Sequence, residues 1–211
     1  MTDYLYLDSN GCILLMQNRE AVERTQAVAL ALQVKTGSAT AFDILMELEQ
    51  RRVLGIANRL LVQRDDAADA VQEVFMRLYR HIDKFDPAQP WDPWIYRICV
   101  NVCRDINRKR RWRELLSLDA WLVAGGAPPV AASRADERTA RREREEAIAD
   151  GLKRLPEKER MALVLRDVEG LSAAEAANIL GSREATVRSQ ASRARNRLRE
   201  YLTARLGGGQ R

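Results

Sequence analysis

Between Phe42 and Ile106, large apolar residues return at steps of three and four. Phe42, Leu45, Met46, Leu48, Val53, Ile56, Ala57, Leu60 and Leu61 make one stripe. Ala67, Ala70, Val71, Val74, Phe75 and Leu78 make a second, and Trp94, Ile95, Ile98, Val102 and Ile106 a third. A helix puts such residues on one face, whereas a half-buried strand needs strict alternation, and no useful length of this chain alternates. The chain can therefore bury its apolar residues only as packed helices, and its fold class is all-α. The breaks agree. Asp65 and Asp66 put negative charge where the second helix starts, facing the positive end of its macrodipole. Asp86-Pro87-Ala88-Gln89-Pro90 is loop chemistry, and Pro93 suits the first turn of the third helix.

Periodicity lapses after Trp112 and returns at Ala147, which divides the chain. Residues 1–38 read as an N-terminal extension, poorly ordered or loosely docked. Within it, Glu20 to Gln33 can form a helix between the turn at Asn10-Gly11 and the break at Gly37-Ser38. Residues 39–112 form one small helical domain. Residues 113–139 form a flexible linker containing the spacer Ala124 to Pro129 and a solvated run of mixed charge. Residues 140–206 form a second helical domain, and 207–211 a disordered tail. In the second domain Ile148, Leu152 and Leu155 make a stripe stopped by Pro156; Met161, Leu163, Val164 and Leu165 make another, stopped at Gly170. Ser172 with Glu175 has capping-box spacing and opens a short helix, Ala173 to Leu180. Gly181 turns the chain, and Ser182 caps a last helix reaching about Leu206.

Composition excludes several function classes. Three Cys and one His in 211 residues build neither a disulfide framework nor a Cys/His zinc site. No phosphate loop, metalloprotease pattern or nucleophile–base set is present, so the chain reads as a non-enzyme with no metal and no cofactor. Apolar runs fall far short of the ~20 residues of a spanning helix, and the start is acidic rather than signal-like, so a cytoplasmic location without membrane insertion is expected. Cys99 and Cys103, four apart on one helix face, read as buried small apolar residues.

Charge is where the chain is most specific. The net +5 conceals two cationic clusters: six cations against one acid from Arg97 to Arg111, and seven against two from Arg183 to Arg205. Each cluster alone carries +5, so the remainder of the chain is acidic. The second cluster follows Ala177, Gly181 and Val187, a spacing with a physical meaning. A small residue lets a second helix approach the first, Gly supplies the positive φ of the turn, and a β-branched residue pins the second helix to the core. This is the signature of a helix-turn-helix, whose cationic second helix can enter a major groove and track phosphates. The first cluster lies beside Trp91, Trp94 and Tyr96. Trp94 reads as core, whereas Trp91 reads either as core or as a ring on which an unpaired base could stack.

These residues together resemble those of an extracytoplasmic-function sigma factor of the bacterial sigma-70 family. Asp65 to Phe75 resembles the helix that docks on the β′ clamp helices of RNA polymerase, and Trp94 to Ile98 with Asn101 and Asp105 resembles the helix that reads the −10 element. Leu155-Pro156, Leu171 to Ala177 and Thr186 to Arg195 resemble the domain that reads the −35 element. The resemblance implies two small helical domains, a region 2 helical bundle and a region 4 helix-turn-helix, joined by a linker threading toward the RNA exit channel. It implies promoter-specific initiation with core polymerase (β′ clamp helices and β flap), promoter DNA and an anti-sigma factor as partners, the last able to hold the protein at the inner membrane.

Residue by residue, docking falls to Asp65, Asp66, Asp69, Gln72, Glu73 and Phe75. Contacts at −10 fall to Lys84, Asp86, Gln89, Trp91, Arg97, Asn101, Arg104, Arg108, Lys109 and Arg110. Contacts at −35 fall to Ser182, Arg183, Thr186, Arg188, Ser189, Gln190, Ser192, Arg193, Arg195 and Arg197. Departures from the family pattern at Ala185, Gln190, Ser192 and Asp92 leave the promoter sequence unspecified. Two other readings are a stand-alone helix-turn-helix regulator and a sigma mimic that titrates an anti-sigma factor. The docking helix argues against the first, and the two intact basic faces against the second.

Overall fold

The computed structural model describes residues 12–63, 65–121 and 137–206, and among them every regular element is helical. The elements are α1 (Cys12–Lys35), α2 (Ala39–Leu60), α3 (Asp66–His81), α4 (Trp91–Trp121), α5 (Glu137–Arg154), α6 (Glu157–Leu163), α7 (Ala173–Leu180) and α8 (Glu184–Leu206). A short 3₁₀ turn follows α3 at Ile82–Lys84, and a wide π-type turn follows α6 at Val164–Val168. The first unit packs α2, α3 and α4 around Leu45, Val53, Ile56, Val74, Leu78, Ile95 and Val102, all buried. The second packs α5, α6 and α7 against α8 around Met161, Leu165, Ile179, Val187, Ala191 and Ala194.

Local chemistry sets the helix ends. At the start of α2, Gly37 takes φ 95° and the Ser38 hydroxyl accepts from the Ala41 amide at 3.2 Å. At the start of α7 the full capping box forms: the Glu175 amide donates to Ser172 Oγ at 3.2 Å, and the Ser172 amide donates to Glu175 Oε2 at 2.8 Å. At its end Gly181 adopts the left-handed φ 62°, ψ 44°, and the Ser182 amide closes the turn on the Ala177 carbonyl at 3.0 Å. α8 begins at Glu184 rather than directly behind a Ser182 cap.

Three expectations change. Residues of the N-terminal extension form α1, whose Ala27, Leu30, Ala31 and Val34 are buried against the first unit; four small or branched apolar residues at helical spacing suffice to dock it. The third helix does not stop at Trp112 but continues to Trp121, with a run of good helix formers (Arg113 to Leu116) and no Gly or Pro to end it. Ile148 is exposed, because the inward face of α5 is set by Ala147, Gly151 and Leu152. Gly151 is required there: a Cβ would stand 2.5 Å from Leu198 Cδ1 and 2.9 Å from Tyr201 Cδ1 on α8. The linker spacer 124–129 and the tail 207–211 lie outside the described residues.

The capping box yields a pH prediction. Hydrogen bonds from the Ser172 side chain and then its backbone hold the Glu175 carboxyl below its ordinary value. A depressed folded pKa stabilises above the unfolded value and is lost as pH falls through the folded one. Urea titrations of the full chain should show the Glu175→Gln variant less stable than wild type at pH 7, the gap closing below about pH 4, near the free carboxyl value. Ser172→Ala should cost about 1 kcal/mol at pH 7.

Candidate nucleic-acid interface

The first basic cluster lies on α4, whose inward face carries Ile95, Cys99, Val102 and Cys103. Its outward face carries Arg97, Asn101 and Arg108, all exposed, with Arg104 half-buried beside them. Steps of four, three and four put these on one stripe, as the cluster requires if it is to follow a strand. Trp112 continues the stripe and is 62% exposed. Sequence reading passed over it, although its four-residue step from Arg108 was the available signal.

The loop before α4 is held at both ends. Phe85 is buried, with its ring centroid 5.1 Å from Trp91 and 5.2 Å from Trp94, and its carbonyl accepts from Lys35 Nζ at 2.8 Å. Asp86 organises the turn: its Oδ1 accepts from the Ala88 amide at 2.9 Å and its carbonyl from the Gln89 amide at 2.9 Å. Lys84, Asp86 and Gln89 remain exposed on this loop. Trp91 does not. It is 2% exposed, and its indole Nε1 donates to Glu49 Oε1 at 2.7 Å. Trp91 is therefore a core residue and offers no stacking face, whereas Trp94, read as core, is only partly buried.

Glu49 is a residue no sequence pattern singled out. It is buried in α2, where it accepts from Arg52 Nη2 at 2.6 Å while Arg52 Nη1 donates to Asp92 Oδ1 at 2.6 Å. Arg24 on α1 reaches the other Asp92 oxygen at 2.6 Å. Burial disfavours the Arg52 charge, but Glu49 and Asp92 outweigh it and hold its pKa above the ordinary value. A buried carboxylate with two partners thus ties α2 to the start of α4.

The docking set splits. Phe75 is buried under a groove of about 260 Å³ lined by Phe42, Met46, Gln72, Met76 and Tyr79, of which Met76 and Tyr79 are well exposed. Asp65, Asp69 and Gln72 are exposed on α3 or at its start. Asp66 and Glu73 point the other way. Asp66 Oδ2 pairs with Arg110 Nη1 at 3.3 Å, and Glu73 binds Arg77, which also reaches Asp105 at 3.0 Å. Asp66 and Arg110, expected on separate surfaces, instead pair with each other between α3 and α4.

On α8, Val187, Ala191 and Ala194 face the core, and Ser182, Arg183, Thr186, Arg188, Ser189, Ser192, Arg193, Arg195 and Arg197 are exposed. Gln190 is half-buried. Several arginines have acidic neighbours: Arg188 with Glu184 at 2.6 Å, Arg195 with Asp167 at 2.6 Å, and Arg193 and Arg197 each 3.5 Å from Glu159. The Arg188–Glu184 and Arg195–Asp167 pairs are exposed and contribute little, orienting a guanidinium without neutralising the face, whereas Glu159 is buried. Burial raises the Cys99 thiol pKa and pushes that of Cys103 up to about 12, so both stay protonated at neutral pH. Among the described residues no group of acidic, His or Cys side chains could hold a metal ion, and no helix is long and apolar enough to cross a membrane.

Two family models match the chain, sigma-70 region 2 over residues 45–113 and sigma-70 region 4 over residues 145–198. The extracytoplasmic-function RNA polymerase sigma-E factor of Haemophilus influenzae is 32% identical over 178 residues, covering 82% of this chain and 94% of that protein. The sigma factor SigM of Mycobacterium tuberculosis is 34% identical over 180 residues, covering 85% and 86%. Among solved structures, CnrH in complex with the cytosolic domain of CnrY aligns with a TM-score of 0.61 at 27% identity, covering 85% of this chain and 98% of that one. The sigma factor RpoE of Bartonella quintana, in complex with the anti-sigma factor NepR, aligns with a TM-score of 0.60 at 28% identity, covering 77% and 96%.

The Glu49 cluster gives a direct test. Glu49→Ala leaves the Trp91 N–H without its acceptor and Arg52 with one carboxylate fewer, which should destabilise the first unit by about 3 kcal/mol. Glu49→Gln keeps an acceptor for Trp91 and should recover part of that loss in the same urea titration.

Proposed function

Because the chain belongs to the extracytoplasmic-function sigma factors of the sigma-70 family, we propose that it acts through the particular surfaces described above. The observation that carries this assignment is the coexistence, in one chain, of an exposed apolar groove on α3 with two exposed cationic helices, α4 and α8. A stand-alone DNA-binding regulator needs the last of these and has no use for the groove.

Core polymerase docks on α3 through the groove around Phe75, with Gln72, Met76 and Tyr79 supplying apolar contact and Asp65 and Asp69 the charge. Asp66 and Glu73 act within the fold. The amino-terminal half of α8 enters the major groove of the −35 element. There Arg183, Thr186, Arg188, Ser189, Gln190 and Ser192 read base edges, while Arg193, Arg195 and Arg197 follow phosphates. An arginine bidentate on guanine is worth ~1–3 kcal/mol of discrimination. The stripe Arg97, Asn101, Arg104 and Arg108 meets the −10 strand. Lys109 adds charge, and the loop bearing Lys84, Asp86 and Gln89 receives an unstacked base. Trp112, exposed at the cationic end of α4, supplies the stacking face that the burial of Trp91 removes. The protein itself catalyses nothing, works in the cytoplasm, and is restrained by an anti-sigma factor; the similar sigma factor RpoE of Bartonella quintana forms a complex with one, NepR.

Purified protein with core polymerase should start transcription from a promoter identified by mapping transcript starts after overexpression. Failure to associate with core would overturn the reading. Arg188→Ala should weaken binding to that promoter's −35 element by ~1–3 kcal/mol at fixed salt while leaving core association unchanged. Trp112→Ala should slow duplex opening, measured by permanganate reactivity, and Trp112→Phe should restore it.

A further inference from the structure

The loop ahead of α4, Asp86 to Pro90, is exposed along its whole length, and both its ends are held from α1. Lys35, the last residue of α1, donates from Nζ to the Phe85 carbonyl at 2.8 Å. Arg24, about three turns earlier, donates from Nε to Asp92 Oδ2 at 2.6 Å. Arg24, Ala27, Ala31 and Lys35 follow one another by three, four and four, so both cations stand on the face of α1 that Ala27 and Ala31 bury. At about 1.5 Å per residue they lie about 16 Å apart along the helix. One rigid element thus reaches Phe85 on one side of the loop and Asp92 on the other.

The helix does not depend on these cations to dock, because Ala27, Leu30, Ala31 and Val34 already bury its inner face. What the cations add is a fixed place for the two ends of the loop. Asp86 closes the turn from inside, through the Ala88 and Gln89 amides. Pinned from outside and closed from inside, the loop presents Lys84 and Gln89 on a set frame. The region 2 family model begins at residue 45, so neither cation lies among the residues it matches.

We infer that Arg24 and Lys35 are positioning residues for −10 recognition: they hold the loop in the shape that receives the unstacked base and touch no DNA themselves. A loop ordered in the free chain meets its entropic cost on folding, so capture of the base leaves less ordering to be done. Two observations favour positioning over direct contact. Lys35 is half-buried with its ammonium turned to a backbone carbonyl, and Arg24 is bound to an Asp92 side chain only 13% exposed. This inference rests on the assignment of that loop to an unstacked base made above.

The test compares wild type with Arg24→Gln/Lys35→Met, with each single variant, and with the conservative Arg24→Lys/Lys35→Arg. Hydrogen exchange of the free full-length chain needs no DNA. The Ala88 and Gln89 amides, both bonded to Asp86, should exchange at least tenfold faster in the double variant and near the wild-type rate in the conservative one. Unchanged exchange would overturn the brace. The complex with core polymerase is then titrated with the −10 non-template strand of the mapped promoter, intact or abasic at one position at a time. Wild type should lose at least tenfold in affinity at one abasic position. The double variant should bind the intact strand at least fivefold more weakly, bind that abasic strand as wild type does, and keep the same slope of log K against log salt. A slope smaller by ~0.7 for each cation removed, with equal loss on the abasic strand, would mean phosphate contact and overturn positioning. If the double variant fails to associate with core, the single variants carry the titration; the same failure in both would show a merely structural role and overturn the inference. Wild type indifferent to every abasic position would overturn the assignment of the loop to a base, and this inference with it, while leaving the exchange result as it is.

Discussion

A carboxylate 2% exposed to solvent must be answered by donors, and in this chain Glu49 is answered by Arg52 and the Trp91 indole. Through Arg52 the charge is handed to Asp92, and from there to Arg24 on α1. Two helices, α1 and α2, and the start of α4 are fixed by that one group. The rotation of α4 about its axis follows, because Trp91 can reach Glu49 in only one setting. With it follows the direction in which Arg97, Asn101 and Arg108 point. Removing one partner from such a cluster strands the others in a poor solvent, so the cluster behaves as a unit.

The second unit is organised by backbone geometry instead. Gly181 at φ 62° reverses the chain in two residues, and Val187, Ala191 and Ala194 then seat α8 on α6 and α7. The small side chains let α8 lie close, and its outer face is left mainly to polar and charged residues. One unit therefore orients its cationic helix by a buried charge cluster and the other by a left-handed turn. The two units meet through α4 and α7, where arginines that suit phosphate also suit a carbonyl and an amide oxygen near the end of a helix.

What could be read along the chain was what depends on neighbours within a few residues. The Ser172–Glu175 capping box, the Gly181 turn, the acids opening α3 and the inward stripes of α2, α3 and α4 are all properties of spacing. What could not be read were pairings between distant residues. Glu49 looks like any polar residue on an amphipathic helix until Trp91, 42 residues away, is placed over it. Asp66 and Arg110, 44 apart, look like members of two functional surfaces until they are seen to neutralise each other. Trp91 and Trp94, three apart, exchange their expected degrees of burial for the same reason.

The sequence by itself determined that the chain is helical, where its helices turn, that it falls into two units with a cationic helix in each, and the family whose motifs those helices carry. These follow from 3.6-residue periodicity, from which residues tolerate positive φ, and from charge counted along the chain. Only the tertiary structure decided which carboxylates serve the fold and which remain for a partner. It also decided which tryptophan faces solvent, and that α4 lies against α7 of the opposite unit. The reason is that burial and pairing are properties of three-dimensional neighbourhoods: a charge is functional or structural according to what stands within a few ångströms of it, and chain position does not fix that distance.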